Sequence, residues 1–264
     1  MTKFKSAKEL KSIAKEVSIG KYGTLIGADL LILAITFGVS LFTGVSNVSS
    51  IAFYIFGLLL SFAASVFLGI LMSGKAYLYM NLLYSQTVSV SDIFFGFKQQ
   101  PVSAMKIQAF ISGITMIAGI PVSYFTLQFY TNPTIDVYMY VIIGLIVQII
   151  VSVYMDLTYS MSFFLLQDFP ERSAAQILAT SRRIMKGNRL RLFYLKVTFI
   201  PLYILCFIAF IIPILWATVY QYASTCAFYQ DLIAGISANS ARKNAPEVVD
   251  TKITEEKDGD YGLN

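Results

Sequence analysis

Apolar residues run along this chain in blocks of about 20, the length that carries a helix through a hydrocarbon core of about 30 Å. Six such blocks cover 22–43, 51–72, 104–128, 137–165, 190–212 and 214–235. The longest polar stretch between two of them is QDFPERSAAQILATSRRIMKGNRLRL, from Gln167 to Leu192. Its periodicity is helical: Ala174, Ile177, Leu178, Ser181 and Ile184 share a stripe, Arg182, Arg183 and Lys186 lie off it, and Gly187-Asn188 ends it. Asp168 with Glu171, or Ser173 with Gln176, can cap its start.

Residues 6–20 repeat the pattern. Ser6 with Glu9 forms a capping box, Leu10, Ile13, Ala14 and Val17 form an apolar stripe, and Gly20 is a left-handed stop. Lysines 5, 8, 11 and 15 flank the stripe, which suits a helix on an anionic lipid surface or one packed on its own spans. A shift of 167 residues places Ser6 on Ser173, Glu9 on Gln176, Leu10 on Ile177, Val17 on Ile184 and Gly20 on Gly187. The segment Ser89-Val-Ser-Asp-Ile-Phe-Phe-Gly-Phe-Lys98, with Phe94, Phe95 and Phe97 as interfacial anchors, reads as a more divergent middle copy. The predicted fold is therefore an all-α membrane protein of six transmembrane helices. They form three helical hairpins, each preceded by a cytoplasmic amphipathic interfacial helix.

Within the blocks, Gly23 and Gly27 form a GxxxG step. Gly57, Ser61, Ser65, Gly69 and Ser73 recur at four-residue spacing. Small residues on one ridge let helix backbones approach, so this ridge is expected to face another helix. Gly119 and Pro121 predict a bend in the third block, and Pro201 in the fifth suggests a bend there too. Tyr130, Tyr138 and Tyr140 bracket a short outer loop.

Composition strengthens the membrane reading: 56% of the 264 residues are hydrophobic, 15% aromatic and 13% charged. The net charge of +5 is concentrated where topology places it. Nineteen of the 20 basic residues fall in four clusters, at Lys3–Lys21, Lys75–Lys106, Arg172–Arg191 and Arg242–Lys257, and the loops at 44–50 and 129–136 contain none. By the positive-inside rule both termini face the cytoplasmic side of the membrane, and nucleic acid is not an expected partner. The first twenty residues, with five lysines and no apolar run, do not read as a cleaved signal, so the first block is expected to remain. From Ser237 the tail holds six acids and four bases and too little apolar content to fold, and is expected to be disordered.

Candidate chemistry is sparse. Charges inside spans are costly and functional by default. Asp29 and Lys196 map onto each other under the 167-residue shift and could pair across the bundle; the other reading is that Lys196 snorkels while Asp29 faces a polar crevice. Asp156, with Gln148 and Tyr159, either lines a cavity or has a hydrogen-bonded structural role. Cys206 and Cys226 lie in apolar blocks, and the chain has no histidine, which removes imidazole chemistry and most zinc sites. No phosphate loop, catalytic carboxylate pair or nucleophile motif appears. No cofactor or metal is expected, and the chain is not expected to be an enzyme. Two classes remain. One is a membrane organiser or accessory subunit binding lipid, a protein partner or a second copy at the inner leaflet; the other is a small-solute permease component. A cavity reaching Asp29, Asp156 and Lys196 would favour the second, a solid bundle the first.

YSMSFFLLQDFPERSAAQILATSRRIMKGNRLRLFYL, with the later AFYQDL, closely resembles the bacterial multi-pass membrane proteins of domain-of-unknown-function family nine-seven-five. The likeness is strongest from Tyr159 to Leu232 and extends more loosely to the N-terminal helix and SVSDIFFGFK. Matching positions are Tyr159-Ser160-Met161, Asp168 and Pro170, Ser181-Arg182, Met185-Lys186-Gly187 and Phe228-Tyr229. The family usually has a second small polar residue where this chain has Phe169, which argues against a polar ligand site at the Asp-Pro turn. The resemblance implies the architecture and no activity.

Overall fold

The three segments that open the predicted units adopt matching caps in the computed structural model, which describes residues 4–43, 51–208 and 213–244. Helix α1 (Ala7–Ser18) starts where Ser6 Oγ accepts the Glu9 N–H at 3.3 Å and Glu9 returns a carboxylate to the Ser6 N–H at 2.6 Å. Helix α8 (Ala174–Met185) repeats this with Ser173 and Gln176, at 3.4 and 3.1 Å. Between them, Asp92 accepts the Ser89 N–H at 2.8 Å and opens a short 3-10 turn, Val90–Phe94. Gly20 and Gly187 take φ of +78° and +87°, the left-handed stops expected of them. Of the two caps available to α8, the chain uses Ser173.

The long helices are α2 (Tyr22–Thr43), α3 (Ile51–Leu83), α5 (Pro101–Thr131), α6 (Ile135–Tyr159) and α11 (Ile214–Asn244). The short ones are α4 (Phe95–Lys98), α7 (Ser162–Asp168), α9 (Arg189–Val197) and α10 (Ile200–Ile208). No strand occurs among the described residues. Five segments are long and apolar enough to cross a membrane: 22–41, 53–83, 101–130, 135–168 and 189–208. Only 6% to 22% of each segment's most apolar window is buried, so their oily faces point outward.

Several boundaries differ from expectation. The fourth block breaks at Ser160-Met161 into α6 and α7, and the fifth breaks at Thr198-Phe199 into α9 and α10. The second break precedes Pro201, whose ring has no N–H to give the preceding turn. α5, by contrast, runs unbroken through Pro121. The sixth block is a helix, α11, but it is not one of the five membrane-length apolar segments; Thr218, Gln221, Ser224 and Thr225 dilute its apolar half. α11 also continues past Ser237 to Asn244, so the predicted disordered tail is helical in its first part; 245–264 lie outside the described residues, as do the turn at 44–50 and residues 209–212.

The core gathers where α1, the C-terminal half of α3, α7, α8, α9 and the middle of α11 meet. Leu10 and Ala14 of α1 are buried, and so are Ala174, Ile177 and Met185 of α8. Both apolar stripes are thus largely covered by protein, which leaves the basic faces of these helices on the outside. α1 lies along α11, with Phe4 packed against Gly235. Arg191, at the start of α9, closes this region: it pairs with Asp231 at 2.9 Å and donates to the Lys5 carbonyl at 3.1 Å, while Asp231 accepts the Lys5 N–H at 3.2 Å. The chain therefore returns on α11 to the level at which α9 began.

Candidate functional site

Of the two readings open to Asp29 and Lys196, the direct pairing does not form. Asp29 pairs instead with Lys75 of α3 at 2.7 Å, both side chains nearly enclosed, and Lys196 pairs with Asp156 of α6. The reason is packing: α2 lies against α3 and α9 against α6, so each charge is met by its neighbouring helix rather than by its counterpart in the repeat. Taking two charges out of water costs several kcal/mol per ion unless each finds a partner. Lys75 is further held over the rings of Tyr222, at 4.5 Å, and Tyr79, at 5.7 Å, so cation–π contact adds to the ion pair.

Both pairs border one cavity of about 540 Å³. Lys75, Asp156, Lys196, Gln108, Gln221 and Thr225 supply polar groups, and Tyr159, Phe163 and Tyr222 supply aromatic surface. Asp29 is not on the wall; its partner Lys75 is. The elements that build the cavity are α3, α5, α6 and α11 with the broken segments α7 and α9. The break at Ser160 brings Phe164 against Tyr222 and Tyr229 of α11, and the break at Thr198 ends α9 one residue after Lys196.

A second cavity of about 460 Å³ adjoins it, since Thr115 lines both. Here the small ridge of α3 appears: Gly57, Ser61 and Ser65 face Ser112 and Gly119 of α5, and Gln148 of α6 closes the wall. Gln148 and Asp156 therefore lie in adjoining spaces rather than one. Toward the other end of the ridge the helices touch. A Cβ on Gly69 would fall 2.4 Å from Gln108, and buried Ser73 receives the Gln167 amide at 2.8 Å. The ridge is packed at the Gly69–Ser73 end, while Gly57, Ser61 and Ser65 border the cavity. The Gly23-Gly27 step makes no helix contact of this kind. A Cβ at Gly23 meets nothing within 4 Å, and one at Gly27 meets only the Val90 side chain.

Asp168 and Pro170 serve the framework. The Tyr229 hydroxyl donates to Asp168, the Gln100 amide donates to the Pro170 carbonyl, and Arg172 covers the Phe169 ring at 4.2 Å. Ser181 donates to the Thr158 carbonyl at 3.0 Å, fixing α8 to α6. Arg182, Arg183 and Lys186 stand exposed on the outer face of α8, next to Gly187. Cys206 and Cys226 are buried and unpaired, and no group of three or more metal-ligating side chains occurs among the described residues.

Sequence reasoning missed Lys75, Gln108 and Tyr222 at the cavity and Tyr229 and Asp231 at the core. Lys75 carried a signal, a lone charge inside a 33-residue helix, but a topogenic role explained it.

These features define a class, an all-helical chain with several membrane-length apolar helices packed around paired internal charges. Within that class it belongs to the family described as protein of unknown function DUF975, whose model matches residues 1–235. Comparison with curated proteins gives no match, and neither does comparison with solved structures.

Proposed function

We propose that this chain is a six-span membrane protein with both termini cytoplasmic that performs no chemical step and binds a small zwitterionic solute as part of a permease. The observation that carries the reading is the cavity of about 540 Å³ into which Asp156, Lys196 and the partner of Asp29 all open. Its volume lies within the range of small-molecule sites. Its charges come in matched pairs, and this selects the ligand class. A singly charged solute would draw off one partner and leave the other without its counter-charge. A zwitterion can exchange with the Lys196–Asp156 pair and satisfy both groups. The adjoining space through Thr115 gives the solute a route along α3 and α5.

The test uses Thr218→Cys, a cavity position, in a background whose native cysteines are buried. In proteoliposomes a small water-soluble methanethiosulfonate should modify it readily. Resistance from both sides of the membrane would mean a sealed bundle and would end the permease reading.

The accessory-subunit reading keeps one specific support, the exposed Arg182, Arg183 and Lys186, which have no ion pair among the described residues. Such a cluster suits anionic lipid or an acidic membrane-protein partner at the inner leaflet. If that is its role, replacing all three by Gln leaves Thr218→Cys modification untouched and lowers retention of anionic lipid.

A further inference from the structure

Beside the core, and separate from the central cavity, α1 and the α9–α11 segment enclose a groove with two unlike halves. One half, about 410 Å³, is lined by Lys8, Lys11, Ser12, Tyr194 and Thr198. The other, about 390 Å³, has Lys15 and Tyr22 at its rim and Leu202, Cys206, Trp216 and Ala217 within. Tyr220 forms part of both walls, so the halves adjoin. No carboxylate lines either.

Lys8, Lys11 and Lys15 lie at i, i+3 and i+7 of α1 and so share one face. Lys8 and Lys15 are exposed and have no ion pair or hydrogen bond among the described residues. Lys11 donates to the Thr198 carbonyl at 3.0 Å and sits 4.1 Å above the Phe199 ring, which leaves ammonium protons to spare. Burial lowers its pKa from the ordinary lysine value, a direction that a docked anion would reverse. Tyr194 and Trp216 on the groove walls are exposed, as residues meeting acyl chains would be.

We propose that this groove holds one anionic glycerophospholipid, its phosphate on Lys8, Lys11 and Lys15 and one acyl chain in the slot beside Leu202, Cys206 and Trp216. The joined halves decide for a lipid over a free phosphate ester, because an ester would occupy the basic half and leave the apolar half empty. A soluble acidic peptide is excluded by the same slot, which runs along helices whose outer faces are apolar. The inference needs α9–α11 to lie in a bilayer and does not depend on the central cavity.

Trp216 is the single tryptophan of the chain and lines the slot, so it reports occupancy directly. The full chain is placed in phosphatidylcholine nanodiscs that contain a small, equal mole fraction of either phosphatidylglycerol or phosphatidylcholine with brominated acyl chains. Trp216 is half exposed and bulk lipid reaches it, so the quantity read is the excess quenching by the anionic lipid. We expect a clear excess, and a drop of about fivefold or more in apparent affinity for Lys8→Gln/Lys15→Gln, since each lysine near an anionic surface contributes about that factor. Both positions are exposed and unpaired, so folding is spared; retained phosphatidylglycerol counted by native mass spectrometry should fall in parallel. Soluble glycerol phosphate should leave the excess unchanged. Equal quenching by the two lipids, an excess indifferent to the double variant, or displacement by glycerol phosphate over the same concentration range as the lipid would each overturn the proposal. Thr218→Cys accessibility fails or succeeds independently of these outcomes.

Discussion

Gly74 and Gly96 are the two positions at which one methyl group should matter most. A Cβ on Gly74 would lie 1.7 Å from the Ile93 carbonyl oxygen, and one on Gly96 would lie 2.1 Å from the Ile70 carbonyl oxygen. These contacts are backbone to backbone, so no side chain can move aside, and α3 meets the middle interfacial segment at its closest there. Overpacking of this kind costs about 1–3 kcal/mol or more. Either alanine variant should lower the unfolding temperature in detergent well below that of Gly23→Ala, where the added carbon meets open space. A charge prediction follows from the Asp29–Lys75 pair. Removing one partner of an enclosed ion pair costs about 3–5 kcal/mol, whereas replacing both by apolar residues is near neutral. Asp29→Ala should therefore be much less stable than Asp29→Ala/Lys75→Met, and Lys196→Asp should not rescue Asp29→Lys. Neither glycine nor the true partner of Asp29 was legible from sequence, for one physical reason. Counted from the turn of an ideal hairpin, Asp29 stands level with Ser65, and only the actual offset of α2 on α3 brings Lys75 to it. Close approaches and ion pairs depend on such offsets, which hydrophobic periodicity leaves undetermined.

Helix ends were far more legible, because capping is local chemistry. Ser6 with Glu9 and Ser173 with Gln176 satisfy orphan amides by reaching three residues along the chain, and Gly20 and Gly187 turn left-handed, as their spacing required. Ser173→Ala should cost about 1 kcal/mol, and Gly187→Ala about as much through its left-handed backbone. Both are readable as shifts in urea midpoint, and their sum should be additive since the two ends of α8 share no partner. The interruptions in the fourth and fifth blocks were hidden because their apolar character continues through them. Pro201 gave a partial signal for the second, while Ser160-Met161 gave none. These two breaks matter beyond local geometry, since the segments they create carry Phe163 and Lys196 to the cavity wall.

At the scale of the molecule the unresolved matter is the sixth crossing, and the packing of α11 makes it testable. Its apolar windows are too diluted by polar residues to count by composition alone, yet a helix whose polar side chains face a cavity needs little hydropathy of its own. Gln221 and Thr225 line that cavity, and Ala223, Cys226 and Ala227 are buried. Asp231, two turns further on, meets Arg191 and the Lys5 backbone, so the end of α11 shares a side with the starts of α1 and α9. On the proposed six-span reading, α9–α10 and α11 form one antiparallel hairpin and the number of crossings is even. Single cysteines at Ser12, Arg183 and Ser237 should then resist a membrane-impermeant maleimide in intact cells and react after the membrane is opened, whereas Asn132→Cys, between α5 and α6, should react from outside. Asp231→Asn would loosen the clasp and lower stability without changing this pattern, because sidedness follows from the distribution of cations and not from one ion pair. If Ser237→Cys labels from outside together with Asn132→Cys, α11 does not cross, the chain has five spans, and the cavity wall that α11 supplies cannot belong to an enclosed path through the membrane.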